Sequence, residues 1–170
     1  MKKNNYIKFS IVVFSLSTLL FSCSKENYEI KPNTDPYIVN FESEIKTDSL
    51  QKKVQWLQDM GSRFALNSDC RMVALKIKDR FVSYGYSNAT LDSFYYTKSY
   101  LGTTYNAWGY NVIARLEGSE NPDSICIVGG HFDSIIKTNP AFTSAPGAND
   151  NASGTSVTLE VARVLKSKNF

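Results

Sequence analysis

Four consecutive apolar residues, Ile125-Cys126-Ile127-Val128, constrain the fold of this chain more than any other stretch. A strand with water on one face alternates apolar and polar side chains, whereas a run that is apolar at every position needs cover on both faces. The run therefore predicts a buried strand of an α/β sheet with helices on both sides. It ends in Gly129-Gly130, and the next residues are His131-Phe132-Asp133. His131 is the one histidine of the 170 residues.

Helical periodicity lies on either side of this strand. Leu50, Val54 and Leu57 share a face of a helix starting at Asp48, which can cap with Gln51 three residues later, and Gly61 can end it. A second helix is predicted from about Cys70 to Tyr84 on the spacing of Val73, Ile77 and Phe81. Asp69 can cap its start and Gly85 can terminate it. Val157, Val161, Val164 and Leu165 place a third helix over roughly 153–167. Leu91–Thr97 is rich in strand-forming residues, and Asn111–Leu116 alternates, with Val112, Ala114 and Leu116 on one side. A turn at 118–123 and a loop at 137–150 complete the layout.

The first 22 residues stand apart. Lys2, Lys3 and Lys8 flank an apolar stretch, Ile11–Phe21, that is shorter than the roughly 20 residues of a bilayer span and reads as a secretion signal. Its end, Leu20-Phe21-Ser22-Cys23, resembles a bacterial lipoprotein signal, in which Cys23 would be acylated and become the mature N-terminus. That implies a lipid-anchored protein of the bacterial cell envelope, at the outer membrane on its periplasmic or surface side. Ser24-Lys25-Glu26 resembles the surface-export signals of some such lipoproteins. Residues 23–47 are polar, with Pro32 and Pro36, as a tether would be. The domain is then expected over 48–170.

Of the 19 basic residues, three lie within residues 1–22, leaving 16 against 16 acidic ones. A near-neutral domain without a basic stripe disfavours nucleic-acid binding. No sequence feature sets the oligomeric state. Beyond Cys23 only Cys70 and Cys126 remain, and with Cys126 in a buried strand both are expected as free thiols.

The end of a buried strand is where open α/β sheets present ligands. Alternation at that end turns His131 and Asp133 to one side and Phe132 to the core. A metal-ligating histidine gives its other ring N–H to a carboxylate or carbonyl, which Asp133 can supply. The pair alone reads more readily as a hydrogen-bonded structural histidine than as a metal site. A second segment, Ala145-Pro146-Gly147-Ala148-Asn149-Asp150-Asn151-Ala152-Ser153, turns at Pro146-Gly147 and delivers Asp150 to the start of the third helix. Alone, Asp150 also reads as a helix cap. Asn149 and Asn151 read as polar spacers.

Together, GGHFDSI and APGANDNASGTSVTLEVARVL resemble the zinc-dependent exopeptidases that include bacterial leucyl aminopeptidases, glutamate carboxypeptidase and glutaminyl cyclases. Gly61-Ser62-Arg63-Phe64, the helix ending near Gly85 and Asn111-Val112-Ile113-Ala114 follow the layout of that family's N-terminal half. The resemblance implies an α/β fold, a three-layer mixed sheet flanked by helices, truncated here to the N-terminal part of a zinc peptidase domain. It implies His131 as ligand of one zinc, Asp150 as bridge between two, and Asp133 as the catalytic-site residue that orients the imidazole. The implied cofactor is zinc, two ions per complete domain, and the implied partners are peptides that lose their N-terminal residues. The family's paired acidic motif, further aspartate ligand and second histidine have no counterparts before Phe170, so an incomplete catalytic domain is expected. Glu160 reads as a helix residue and not as the missing base. A one-zinc glutaminyl cyclase-like enzyme and a non-catalytic envelope lipoprotein are the alternatives.

Overall fold

A computed structural model describes residues 36–119, 121–136 and 145–168. The expected signal (residues 1–22), Cys23, residues 23–35 of the expected tether and most of the 137–150 loop lie outside the described residues. Four α-helices and one hairpin make up the rest: α1 (Pro36–Glu44), α2 (Thr47–Gln58), α3 (Cys70–Ser83), β1 (Thr90–Tyr100), β2 (Thr103–Ile113) and α4 (Ser153–Lys166). No helix among the described residues is long and apolar enough to cross a membrane.

The core is where α2, α3 and α4 meet one face of β2. Leu57 of α2, Val73, Ile77 and Phe81 of α3, Leu159 of α4 and the flanking Tyr86, Ala89 and Ala152 form one buried cluster. Val112, Ala114 and Leu116 pack against it on the side that alternation predicted. On α4 the buried face runs through Thr155, Ser156, Leu159, Glu160 and Val164. Val157, at the head of the predicted valine stripe, is half exposed.

Several boundaries differ from the sequence expectation, each for a local reason. The tether was expected to be irregular up to residue 47, yet Pro36–Glu44 is helical. Arg163 Nη2 donates to the Glu44 carbonyl at 2.7 Å, satisfying a group that a helix end leaves open. Asp48 does not cap α2; the N-cap is Lys46, with no side-chain cap of its own. Its amide donates instead to Glu160 Oε1 at 3.3 Å, so the cap of α2 arrives from α4. Asp69 is the N-cap of α3 without a side-chain bond, and Asn67 Oδ1 accepts the Asp69 amide at 3.2 Å in that turn. Gly85, at φ +97, ends α3 as expected, in a conformation that a Cβ would disfavour.

The predicted strand at 91–97 and residues 111–113 of the one predicted at 111–116 are parts of one longer antiparallel hairpin, and residues 114–116 lie beyond the end of β2. The hairpin register pairs Tyr100 with Thr103 and Thr90 with Ile113. Leu101 and Gly102 both have positive φ, 48 and 77, the twist that a two-residue hairpin turn requires, and this turn sets the register. Thr103–Tyr110 was missed because its polar residues break the apolar alternation.

The expected buried strand at 125–128 is the main correction. Among the described residues the sheet has two strands, β1 and β2, and residues 124–136 run beside neither as a ladder. Ile125 and Ile127 are 79% and 88% exposed, and Cys126 is exposed as well. A strand exists only through hydrogen bonds to a neighbour. No described segment offers one here, and both faces stay open. Cys70 and Cys126 are free thiols, as expected, and burial together with the Asp133 charge pushes the Cys70 thiol up to about 11.

Glu160, 1% exposed, joins α4 to α2. Its carboxylate accepts from Lys53 Nζ at 2.6 Å, Ser49 Oγ at 2.8 Å, Arg163 Nη2 at 2.7 Å and Nε at 3.1 Å, besides the Lys46 amide. Burial works to raise the Glu160 carboxyl, but the hydrogen bonds from Arg163, Lys53, Ser49 and Lys46 outweigh it and hold the group well below the usual carboxylate range. Breaking a buried ion network by deleting one partner costs roughly 3–5 kcal/mol, and Glu160→Ala should lower the unfolding free energy by that order in a urea titration. Because the folded value is lowered, the stabilisation is complete above the value of an unfolded glutamate, about 4.3, and is lost as pH falls below it. Wild-type stability should therefore fall more steeply than that of Glu160→Gln as pH is lowered from about 5.

Candidate metal centre

Two segments, 130–134 and 145–155, build the site. Pro146-Gly147 makes the turn, with Gly147 at φ +49, and a side chain there would come within 2.5 Å of Ser134 Cβ and 2.6 Å of Asp150 O. A single π-type turn over Ala148–Ala152 leads into α4, closed by Ala152 N donating to Gly147 O at 3.0 Å. Within it Asp150 (φ −116, ψ 96) and Asn151 (φ −135, ψ 43) leave the helical region, and their shared peptide bond is cis. Asn151 Oδ1 accepts the Gly154 amide at 3.0 Å, the bond that a helix start needs. The cap reading thus falls to Asn151, which sequence analysis took as a spacer. The Asp150 carboxylate is 84% exposed.

His131 is held from its backbone. Thr155 Oγ1 donates to the His131 carbonyl at 2.9 Å. Gly130 lies so close to α4 that a Cβ would approach Gly154 C to 2.9 Å, which brings the 130–134 segment directly against the first turn of that helix. Phe132 turns inward against the core, as alternation predicted. The imidazole is then flanked by two carboxylates: Nδ1 lies 3.0 Å from Asp133 Oδ1 and Nε2 lies 3.1 Å from Asp150 Oδ1. The structure therefore brings together all three of the domain residues singled out from the sequence; Cys23 lies outside the described residues.

The donors suit a borderline metal ion. Zinc takes histidine nitrogen and carboxylate oxygen at about 2.0–2.2 Å in tetrahedral sites, so two such ligands of one ion sit about 3.3 Å apart. The 3.1 Å between Nε2 and Asp150 Oδ1 matches that spacing closely. Asp133 faces the opposite ring nitrogen. Catalytic zinc takes three protein ligands plus water. Among the described residues, no group of three or more histidine, cysteine, aspartate or glutamate side chains is arranged to hold a metal ion. Glu160 is committed to Lys53 and Arg163 and is no donor to this site.

Sequence reasoning missed the residues that hold the two segments: Arg63, Ser134, Asn151 and Thr155. Arg63 is completely buried and hydrogen-bonds to both segments through main-chain carbonyls. An acceptor carbonyl has no residue identity, so no pairing pattern marks it in a sequence. The one available signal was a charged residue between Ser62 and Phe64, in a segment too short to leave it on an exposed helical face.

Comparison with known proteins finds similarity over the same region. Residues 111–170 match the model of peptidase family M28. A probable zinc metalloprotease of Leptosphaeria maculans is 48% identical over 56 residues, which cover 32% of this chain and 13% of that protein. A probable aminopeptidase of Saccharomyces cerevisiae is 46% identical over 61 residues, 36% of this chain and 16% of that protein. A probable leucine aminopeptidase of Arthroderma otae is 52% identical over 60 residues, 35% of this chain and 16% of that protein. The matched stretch thus spans about a sixth or less of the length of these relatives. The residues that carry His131, Asp133 and Asp150 are thus similar to peptidase family M28.

Proposed function

We propose that this chain contributes to a zinc-dependent aminopeptidase, a hydrolase that removes N-terminal residues from peptides. One observation carries the reading: His131 sits between Asp133 and Asp150 at 3.0 and 3.1 Å, inside the segment that matches the peptidase family. The names of the relatives, zinc metalloprotease and aminopeptidase, support the metal and the substrate class.

His131 Nε2 and the Asp150 carboxylate would hold the metal, and Asp150 would bridge to a second ion. Zinc, when bound, supplies an activated water and polarises the peptide carbonyl. Asp133 would accept the Nδ1–H of His131, the tautomer that leaves the Nε2 lone pair for the ion. Asp150 carries its charge at the N-terminal end of α4, where the helix dipole favours an anion. Thr155 keeps the His131 segment against that helix, so its backbone is held before the ion arrives.

In the complete domain the proposed architecture is the three-layer mixed sheet with residues 48–170 as its N-terminal part, and Ile125–Val128 is a strand within that sheet. The exposure of that apolar run on both faces supports a covering layer on each side. We also place the domain in the bacterial envelope, tethered through acylated Cys23, on the strength of the Leu-Phe-Ser-Cys ending.

The protein as its source cell makes it should hydrolyse leucine p-nitroanilide in a zinc-dependent manner; a zinc-replete preparation without such turnover refutes the aminopeptidase. Metal affinity, read by zinc titration against a chromogenic chelator, should fall most for His131→Ala and Asp150→Ala. Asp133→Asn should weaken it by about 10 to 100-fold, since the ligand survives with poorer orientation. An Asp133→Asn variant as metal-free as Asp150→Ala would contradict the assigned roles. Radiolabelled palmitate should enter the wild type and not Cys23→Ser, and equal labelling of both would remove the lipid anchor.

A further inference from the structure

Arg63 is 0% exposed, and its guanidinium donates to four main-chain carbonyls: Nε to Phe132 O at 2.7 Å, Nη1 to Leu57 O at 2.8 Å and Pro146 O at 2.6 Å, and Nη2 to Gly147 O at 2.9 Å. Its own backbone forms a second clasp. Arg63 N donates to Ser134 Oγ at 3.1 Å, Ser134 N donates to Arg63 O at 3.2 Å, and Ser134 Oγ donates to Ala145 O. Phe132 is the neighbour of His131, and Gly147 opens the turn that carries Asp150.

We infer that Arg63 is the positioning residue of the metal centre: it clamps the His131 segment and the Asp150 turn onto the end of α2 and so sets the distance between the two donors. This rests on the metal-centre reading above. The geometry selects arginine. A planar fork of five N–H donors reaches carbonyls in several directions within one plane, whereas an ammonium has three donors at a single point. The acceptors pin main chain rather than side chains, so both loops are held at their roots while His131 and Asp150 remain open to solvent at 57% and 84%. A carboxylate partner would neutralise Arg63 but bind only one segment. Carbonyls from three segments let one buried cation fasten all of them; burial lowers the Arg63 guanidinium from its ordinary value, and the Asp133 charge nearby opposes that. Ligand orientation by such supporting contacts is worth about 10 to 100-fold in metal affinity.

The test uses the full chain with Arg63→Lys, Ser134→Ala and, as a control for general loosening, Ile77→Val in the core of α3. Two readouts are taken at one fixed pH: cobalt affinity by absorption titration, and the ring nitrogen resonances of His131, which form a single set because the chain has no other histidine. Arg63→Lys and Ser134→Ala should each weaken cobalt binding about tenfold or more and shift the metal-free His131 resonances, while Ile77→Val leaves both at wild-type values. If Arg63→Lys does not fold, Ser134→Ala decides alone. Wild-type affinity and unshifted His131 resonances in a folded Arg63→Lys or Ser134→Ala would overturn the inference. So would an equal loss of affinity in Ile77→Val at matched thermal stability. Resonances that shift in both clamp variants of a wild type that takes up no cobalt would keep the clamp and refute the metal centre.

Discussion

An ionised group removed from water must find in the protein every partner that water would have offered, or it destabilises the fold by several kcal/mol. Among the described residues Arg63 at 0% and Glu160 at 1% exposure impose that condition most fully, with Lys53 at 7%. Much of the remaining structure can be understood as the way the condition is met. Glu160 draws Lys53, Ser49 and the Lys46 amide of α2 toward α4, which fixes how those two helices pack. Arg63 draws carbonyls from the end of α2, from the residue after His131 and from the turn before Asp150. Leu57 belongs to both arrangements, since its side chain lies in the core and its carbonyl accepts from Arg63. Apolar burial and the candidate site are therefore coupled through the last turn of α2.

Helices were the most legible part of the sequence. For α2, α3 and α4 the apolar spacing located the starts to within a residue, and Gly85 marked the end of α3 while Gly61 lies three residues past α2, because periodicity and positive φ are local properties. Caps were less legible. Asp48 and Asp69 have the right chemistry in the right place, but a carboxylate from another helix and the amide of Asn67 occupy those roles. The strand at 125–128 failed for a different reason: hydrophobicity on both faces records what a segment needs, whereas a ladder also requires a neighbour. Its exposed isoleucines show the need without the neighbour.

The site divides in the same way. His131, Asp133 and Asp150 could be picked out because each is a chemically distinctive residue in a short motif, and the fold brings all three within 3.1 Å contacts. The groups that hold them apart at that distance are glycines, a serine, a threonine and carbonyl oxygens, whose identities say little until their surroundings are known. Glu160 and Arg163 lie three residues apart on one helix and could have been paired from sequence. The partner that buries the charge, Lys53, is 107 residues away and could not.

The attachment of α1 has a mechanical consequence. Tension arriving from the N-terminal side meets the domain at Glu44, whose carbonyl is held by Arg163 and whose carboxylate is paired with Lys168, and next at the Lys46 amide on Glu160. These charge-assisted contacts act in parallel and lie ahead of the hairpin in the chain. A pull is thus shared among several bonds at the far end of α4 before it can begin to unzip β1 from β2. The turn that carries Asp150 sits at the opposite end of that helix, one helix length away from where the load enters.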